Sequence, residues 1–312
     1  MTTPTIHLTN GVAEAAIMPD IGGRIISFRA LGREWLWRNP SLISDELTFL
    51  VGPEGARAAS TLGEWWNWGG DKSWPAPQGW NSDGEWAGPP DPILDSGPFD
   101  VVSADHASCH LISQGDPRTG LQVERKVSME PGVAGLRLTT TMTNASSLPR
   151  TWSCWTVTQV RAEDNPGVHP ERVVISQAAD PPPQVVLFEA IGKPRAHADG
   201  AGNLEMLLED VVGKVGFPSS SGEIRFFSSN GYFFQQKFEV DETAIYPDGG
   251  SRAQVWIQYA VGEPIESLQG LTLTARLVEL ECLSPLTHLE PGEQVSLTVD
   301  WLVDKTVGHA AV

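Results

Sequence analysis

The sequence predicts an all-β fold built from two large antiparallel sheets, and three observations point there. Gly (31) and Pro (24) are abundant among the 312 residues, and with many Thr and Val they favour strands and turns over helices. Strand-length runs alternate in side-chain character. Residues 121–129, LQVERKVSM, set Val123, Arg125 and Val127 opposite Gln122, Glu124, Lys126 and Ser128. Finally, roughly sixteen to eighteen such runs follow one another across short turns, with no linker dividing them into two complete sets. One large sandwich fits that order better than two small tethered ones.

In chain order, residues 5–8 and 12–17 flank Asn10-Gly11, a tight hairpin signal. Pro19-Asp20-Ile21-Gly22-Gly23 turns into a strand at 24–30, and Leu31-Gly32-Arg33 leads on to 34–37. Arg24 starts its strand where a permissive turn ends. Its guanidinium is either a forked donor to ligand hydroxyls or the partner of a nearby acid. From 39 to 98 the alternation gives way to Gly, Pro, Trp and acids, read as one insertion in a single domain spanning 1–312, with a short helical turn at 53–60. Strands resume at 99–103, 108–113, 121–129, 136–144 and 150–162, then at 185–189, 211–217, 223–228 and 232–240. A helix is expected only at 203–211. Residues 253–261, 271–283 and 294–303 supply the last strands.

Inside the insertion, residues 63–86 carry six of the twelve tryptophans: Trp65, Trp66, Trp68, Trp74, Trp80 and Trp86. Their centre, GGDKSWPAPQ at 69–78, sets Asp71 and Lys72 between permissive glycines and stiff prolines. The segment reads as a long ordered loop, and loops of that length are commonly functional. The indoles either pack the loop onto its domain or stack on a ring-shaped ligand with hydroxyl edges, a small-molecule carbohydrate. Trp66, Trp68 and Trp74, with Asp71, are the candidate contacts.

Acids outnumber bases 39 to 21, a formal charge of −18, which argues against nucleic acid or an anionic membrane as partner. No apolar run approaches the ~20 residues that span a bilayer, and the first ten residues lack a signal-peptide pattern, so a cytoplasmic location is expected. Cys109, Cys154 and Cys282 lie far apart in apolar runs and suit burial rather than disulfides. The seven histidines are scattered without metal-ligand spacing, and neither a phosphate-binding glycine loop, a GxSxG elbow nor an HExxH motif occurs. No metal or cofactor is therefore expected.

The carboxylates say more. In residues 277–283, LVELECL, Glu279 and Glu281 share one strand face while Val278, Leu280 and Cys282 take the other. Two acids so placed either lie in solvent or repel until one pKa rises, as a general acid or base requires. Lys237, beside Phe233 and Gln235 on one face of residues 233–240, is a candidate counter-charge, and Gln159 is a further polar candidate. With Lys72 these residues would form a polar floor beneath the tryptophans.

The order of motifs resembles the galactose mutarotase-like (aldose 1-epimerase-like) proteins. The resemblance rests on Asp20-Ile21-Gly22-Gly23-Arg24-Ile25, Thr143-Asn144-Ala145-Ser146, Glu279-Leu280-Glu281-Cys282-Leu283-Ser284-Pro285 and the Pro291-Gly292-Glu293 turn. GGDKSWPAPQ and Tyr246-Pro247-Asp248-Gly249-Gly250 are most like a subfamily without established function. The resemblance implies a β-supersandwich with a sugar-binding face and a cofactor-free interconversion of anomers. By position Glu281 matches the family's glutamate base, with Glu279 as alternate. The family's acid is a histidine, but the central strand here, WSCWTVTQ at 152–159, has none; Lys72 is the substitute, since burial lowers a lysine pKa. Two other readings remain. One is a carbohydrate binder without turnover. The other is a glycosidase or lyase with Asp71 and Glu281 ~5–9.5 Å apart across the scissile bond.

Overall fold

The structure is a computed structural model that describes residues 4–59, 61–77, 92–163, 170–179 and 182–306. Two antiparallel sheets of eleven and ten strands face each other. The first runs Ile6–Thr9, Ala13–Met18, Arg24–Ala30, Asp71–Ala76, Arg150–Arg161, Leu277–Leu283, Ala253–Gln258, Val212–Phe217, Val185–Ile191, with short strands Arg33–Glu34 and Thr287–Leu289 on its flanks. The second runs His197–Ala198, Leu204–Leu207, Arg172–Gln177, Ser220–Phe227, Tyr232–Phe238, Gln294–Lys305, Gly135–Asn144, Leu121–Ser128, Ser108–Ser113, Phe99–Ala104. The all-β two-sheet prediction holds.

The core lies between the sheets because alternation sends every second residue there. Val278, Leu280 and Cys282 share one buried cluster with Val215 and Val255 from the first sheet and Leu138, Phe226 and Phe234 from the second, all fully buried. Polar ties cross the same interface. Ser73 Oγ lies 2.9 Å from Thr140 Oγ1, Gln236 Nε2 donates to Thr158 Oγ1 at 2.7 Å, and Arg125 pairs with Asp71. Buried polar groups need such partners to offset lost hydration.

The strand expected at 271–283 is confined to Leu277–Leu283, and two further expectations fail for tertiary reasons. Residues 203–211 are not helical: Leu204–Leu207 pairs with Arg172–Gln177, Leu204 opposite Ile175 and Leu207 opposite Arg172, and sheet-edge pairing outweighs a weak helical preference. The centre of the tryptophan stretch is not a loop either. Asp71–Ala76 pairs along its length with Arg150–Arg161, in the middle of the first sheet. Pro75 is tolerated there because its partner Cys154 turns its backbone groups to Ser284 on the other side, the N–H donating to Ser284 Oγ and the carbonyl accepting from the Ser284 N–H. The donor that proline lacks thus points to an edge that Arg24–Ala30 meets only at Ile25–Asp71. Trp80 and Trp86 lie outside the described residues.

Candidate functional site

The outward face of the first sheet, away from the core, carries the site. Register places Lys72 opposite Val157, Gln159 opposite Glu279, Glu281 opposite both Val157 and Gln254, and Trp256 opposite Glu279. Lys214 adjoins Trp256 on the next strand. These side chains therefore share one face across five strands. Above them opens a cavity of about 630 Å³.

Two acid–lysine pairs make the floor. Lys72 Nζ lies 3.2 Å from Glu279 Oε1, and Gln159 Nε2 donates to the same oxygen at 2.6 Å. Glu279 lines the cavity, and its Oε2 has no partner among the described residues. Burial lowers the Lys72 pKa, while Glu279 opposes that shift. The second pair is deeper. Glu281 Oε2 accepts from Lys214 Nζ at 2.8 Å and from Trp155 Nε1 at 2.7 Å, whereas its Oε1 is buried with no partner among the described residues. Burial pushes the Glu281 carboxyl up to about 7, Lys214 pulling it down and Glu279 pushing it further up. Lys214 also donates to Gln254 Oε1 at 3.0 Å, and Gln254 Nε2 to Asp248 Oδ2 at 2.7 Å. Asp248 reaches this position from a turn in which its own φ is +52°.

The walls are aromatic. Trp65, Trp66, Trp74, Trp155 and Trp256 all line the cavity. The Lys72 ammonium sits 4.5 Å from the Trp74 ring centroid and 5.4 Å from that of Trp65. Lys214 lies 4.3 Å from Trp155. Asp95 fixes two of these indoles from behind, accepting from Trp65 Nε1 at 3.0 Å and Trp74 Nε1 at 3.1 Å while pairing with Arg24. Indole faces beside fixed donors and acceptors suit a ligand with an apolar face and polar edges.

Residues 4–304 match the family model described as a domain of unknown function, DUF4380. The chain belongs to that family. No curated protein matches it. Three solved structures resemble this DUF4380 chain at low identity. A galactose mutarotase-like protein from Lactobacillus casei ATCC 334 has a TM-score of 0.60 at 11% identity, over 96% of this chain and 100% of its own. A GalM/aldose epimerase homologue from C. elegans has 0.55 at 12%, over 97% and 99%. A galactose mutarotase related enzyme from Lactobacillus acidophilus has 0.54 at 10%, over 99% and 100%. The likeness is one of fold: the DUF4380 chain has the galactose mutarotase-like, all-β architecture that its motifs resemble.

The sequence-predicted residues divide by position. Glu279, Trp66 and Trp74 line the cavity, while Lys72, Gln159 and Glu281 lie in or just behind its floor. Four others are elsewhere. Asp71 cannot share a site with Lys72, because consecutive strand residues point to opposite faces. It is buried between the sheets with Arg125 and with Thr158 Oγ1 at 2.6 Å, which also removes the Asp71–Glu281 glycosidase arrangement. Arg24 is fully buried against Asp95 and the Gly69 carbonyl, so it backs the indole wall and does not reach the ligand space. Trp68 packs in a separate cluster, 5.6 Å from Phe49 and 5.8 Å from Trp66. Lys237 belongs to the second sheet and pairs with Glu223 at 3.1 Å on its exposed outer side. Lys214, rather than Lys237, answers the glutamates.

Lys214, Gln254, Asp248, Asp95, Trp155 and Trp256 were not among the predicted site residues. Three of them leave a trace in the sequence. Lys214 is the one charge in an otherwise apolar strand, and Gln254-Val255-Trp256-Ile257-Gln258 alternates amide and indole with aliphatics.

Proposed function

We propose that this cavity binds a neutral reducing sugar and interconverts its anomers without a cofactor. The observation that carries the reading is the pair of lysine-matched glutamates flooring a tryptophan-walled cavity on the sheet's outer face. Glu279, which lines the cavity, takes the proton of the C1 hydroxyl. As the C1 carbonyl forms and the C1–O5 bond breaks, the Lys214 ammonium gives its proton to O5. Rotation about C1–C2 and reclosure return both protons. The base role thus moves from Glu281 to its neighbour, and the acid role from Lys72 to Lys214, because Glu279 and Lys214 line the cavity. Glu281 behind Lys214 and Lys72 behind Glu279 hold the two working groups in place.

Exchange NMR across a panel of aldoses tests this reading. Glu279→Gln is expected to slow enzyme-dependent anomer exchange by roughly 10²–10⁴-fold, the usual worth of a positioned acid or base, with sugar-induced tryptophan quenching retained. A specific observation favours a second reading, binding without turnover: both lysines are ion-paired to the glutamates of the floor. Quenching without accelerated exchange for every aldose would establish that binder and overturn the isomerase.

A further inference from the structure

The cavity is larger than one sugar ring, and the wall beyond the glutamates has a different chemistry. At about 630 Å³ it falls in the range that holds drug-sized ligands, and a single hexose falls well short of that size. The excess space borders Leu62, Phe188, Trp256, Leu268, Leu271 and Leu273. These residues form an apolar cluster separate from the core between the sheets, on the outer face. Leu62, Leu268 and Leu273 are buried, whereas Phe188, Trp256 and Leu271 keep part of their surface open. Phe188 and Trp256 stack with ring centroids 5.8 Å apart and planes 28° from parallel. Ser267, Gln269, Thr272 and Thr274 also border this space, but all four are exposed side chains, and a second sugar ring would need fixed partners for its hydroxyls along this wall. The amide of Gln258 nearby is already engaged, its oxygen by Trp256 Nε1 at 3.0 Å and its nitrogen by the Ala275 carbonyl at 3.0 Å. Apolar surface of this kind is best matched by a group that gives up no hydrogen bonds to water on entering.

We infer that the ligand is a sugar bearing an apolar substituent, aryl or branched alkyl, which seats against the Leu271–Phe188–Trp256 wall while the sugar lies over Glu279 and Lys214. The inference rests on the sugar-isomerase reading. It adds that the substituent sits on a carbon other than C1, because the hemiacetal must stay free to open. Trp256 joins the two halves, since it pairs in register with Glu279 and also belongs to the apolar cluster.

The test compares aldohexoses with their 6-O-benzyl derivatives on the full chain, reading affinity by tryptophan fluorescence and anomer exchange by NMR. The benzyl derivative of the preferred hexose is expected to bind at least tenfold more tightly than its parent. That ratio should fall toward one in both Leu271→Asn and Phe188→Ala, two partly exposed positions whose replacement leaves the inter-sheet core intact. Equal or weaker binding of the benzyl derivatives overturns the inference, as does a gain that persists in both variants or a disaccharide that binds more tightly than the benzyl sugar. A benzyl gain without exchange of either compound would sustain the apolar subsite and defeat the isomerase. Exchange of the parent without a benzyl gain would do the reverse. No binding by any pair would overturn both.

Discussion

Glu281 gives up its proton at a higher pH than an exposed glutamate does. Its carboxyl is raised from 4.5 to about 7, chiefly by burial, so between those values the folded chain binds a proton that the unfolded chain has lost. Stability therefore falls as pH rises through that window, by roughly 3–4 kcal/mol at ~1.4 kcal/mol per pK unit. Glu281→Gln should flatten this dependence in urea unfolding between pH 4.5 and 8; an unchanged slope would show that another group holds the proton. The two-residue spacing of Glu279 and Glu281 made their common face readable in sequence, since strand side chains alternate whatever the surroundings. Their lysines were harder to assign. Lys237 and Lys214 each sit in a strand, and only the pairing of Val212–Phe217 with Ala253–Gln258 decides that Lys214 reaches Glu281. Side-chain faces are local information, whereas sheet membership is not.

At the scale of elements, Asp71–Ala76 shows the same division. Its tryptophans, prolines and paired glycines look like a loop, yet it lies in the centre of a sheet. Gly69 and Gly70 make the entry possible. Their φ values are +91° and +74°, and a Cβ on either would lie 2.4 Å from a backbone oxygen, that of Trp37 or Ile25. Gly69→Ala is expected to cost about 2–4 kcal/mol, combining left-handed strain with displacement of backbone. Gly11→Ala has a similar φ but open space around it and should cost only ~1–2 kcal/mol. Urea midpoints of the two variants measure the difference, and equal losses would show that the close approach at Gly69 contributes nothing. The strands that form hairpins with their neighbours were readable in order, such as Arg24–Ala30 and Ser108–Ser113. Asp71–Ala76 was misread because its partner, Arg150–Arg161, is distant in sequence.

For the molecule as a whole, the Asp71–Arg125 pair links the two sheets from within the core. Asp71→Ala leaves a guanidinium buried without its counter-charge and is expected to cost ~3–5 kcal/mol. Lys237→Ala, on the exposed outer side, should leave the unfolding midpoint unchanged. Thermal and urea unfolding of both variants checks the contrast; a mild Asp71→Ala would mean that solvent reaches Arg125. The same short strand thus serves the core through Asp71 and Ser73 and the cavity through Lys72 and Trp74. Point replacements can alter either side separately. The loss or gain of a single residue between Gly70 and Pro75 cannot: it would turn the segment over, exposing an aspartate to the ligand space and burying a lysine between the sheets. Across related chains, length in this segment should therefore hold constant even where the individual residues drift.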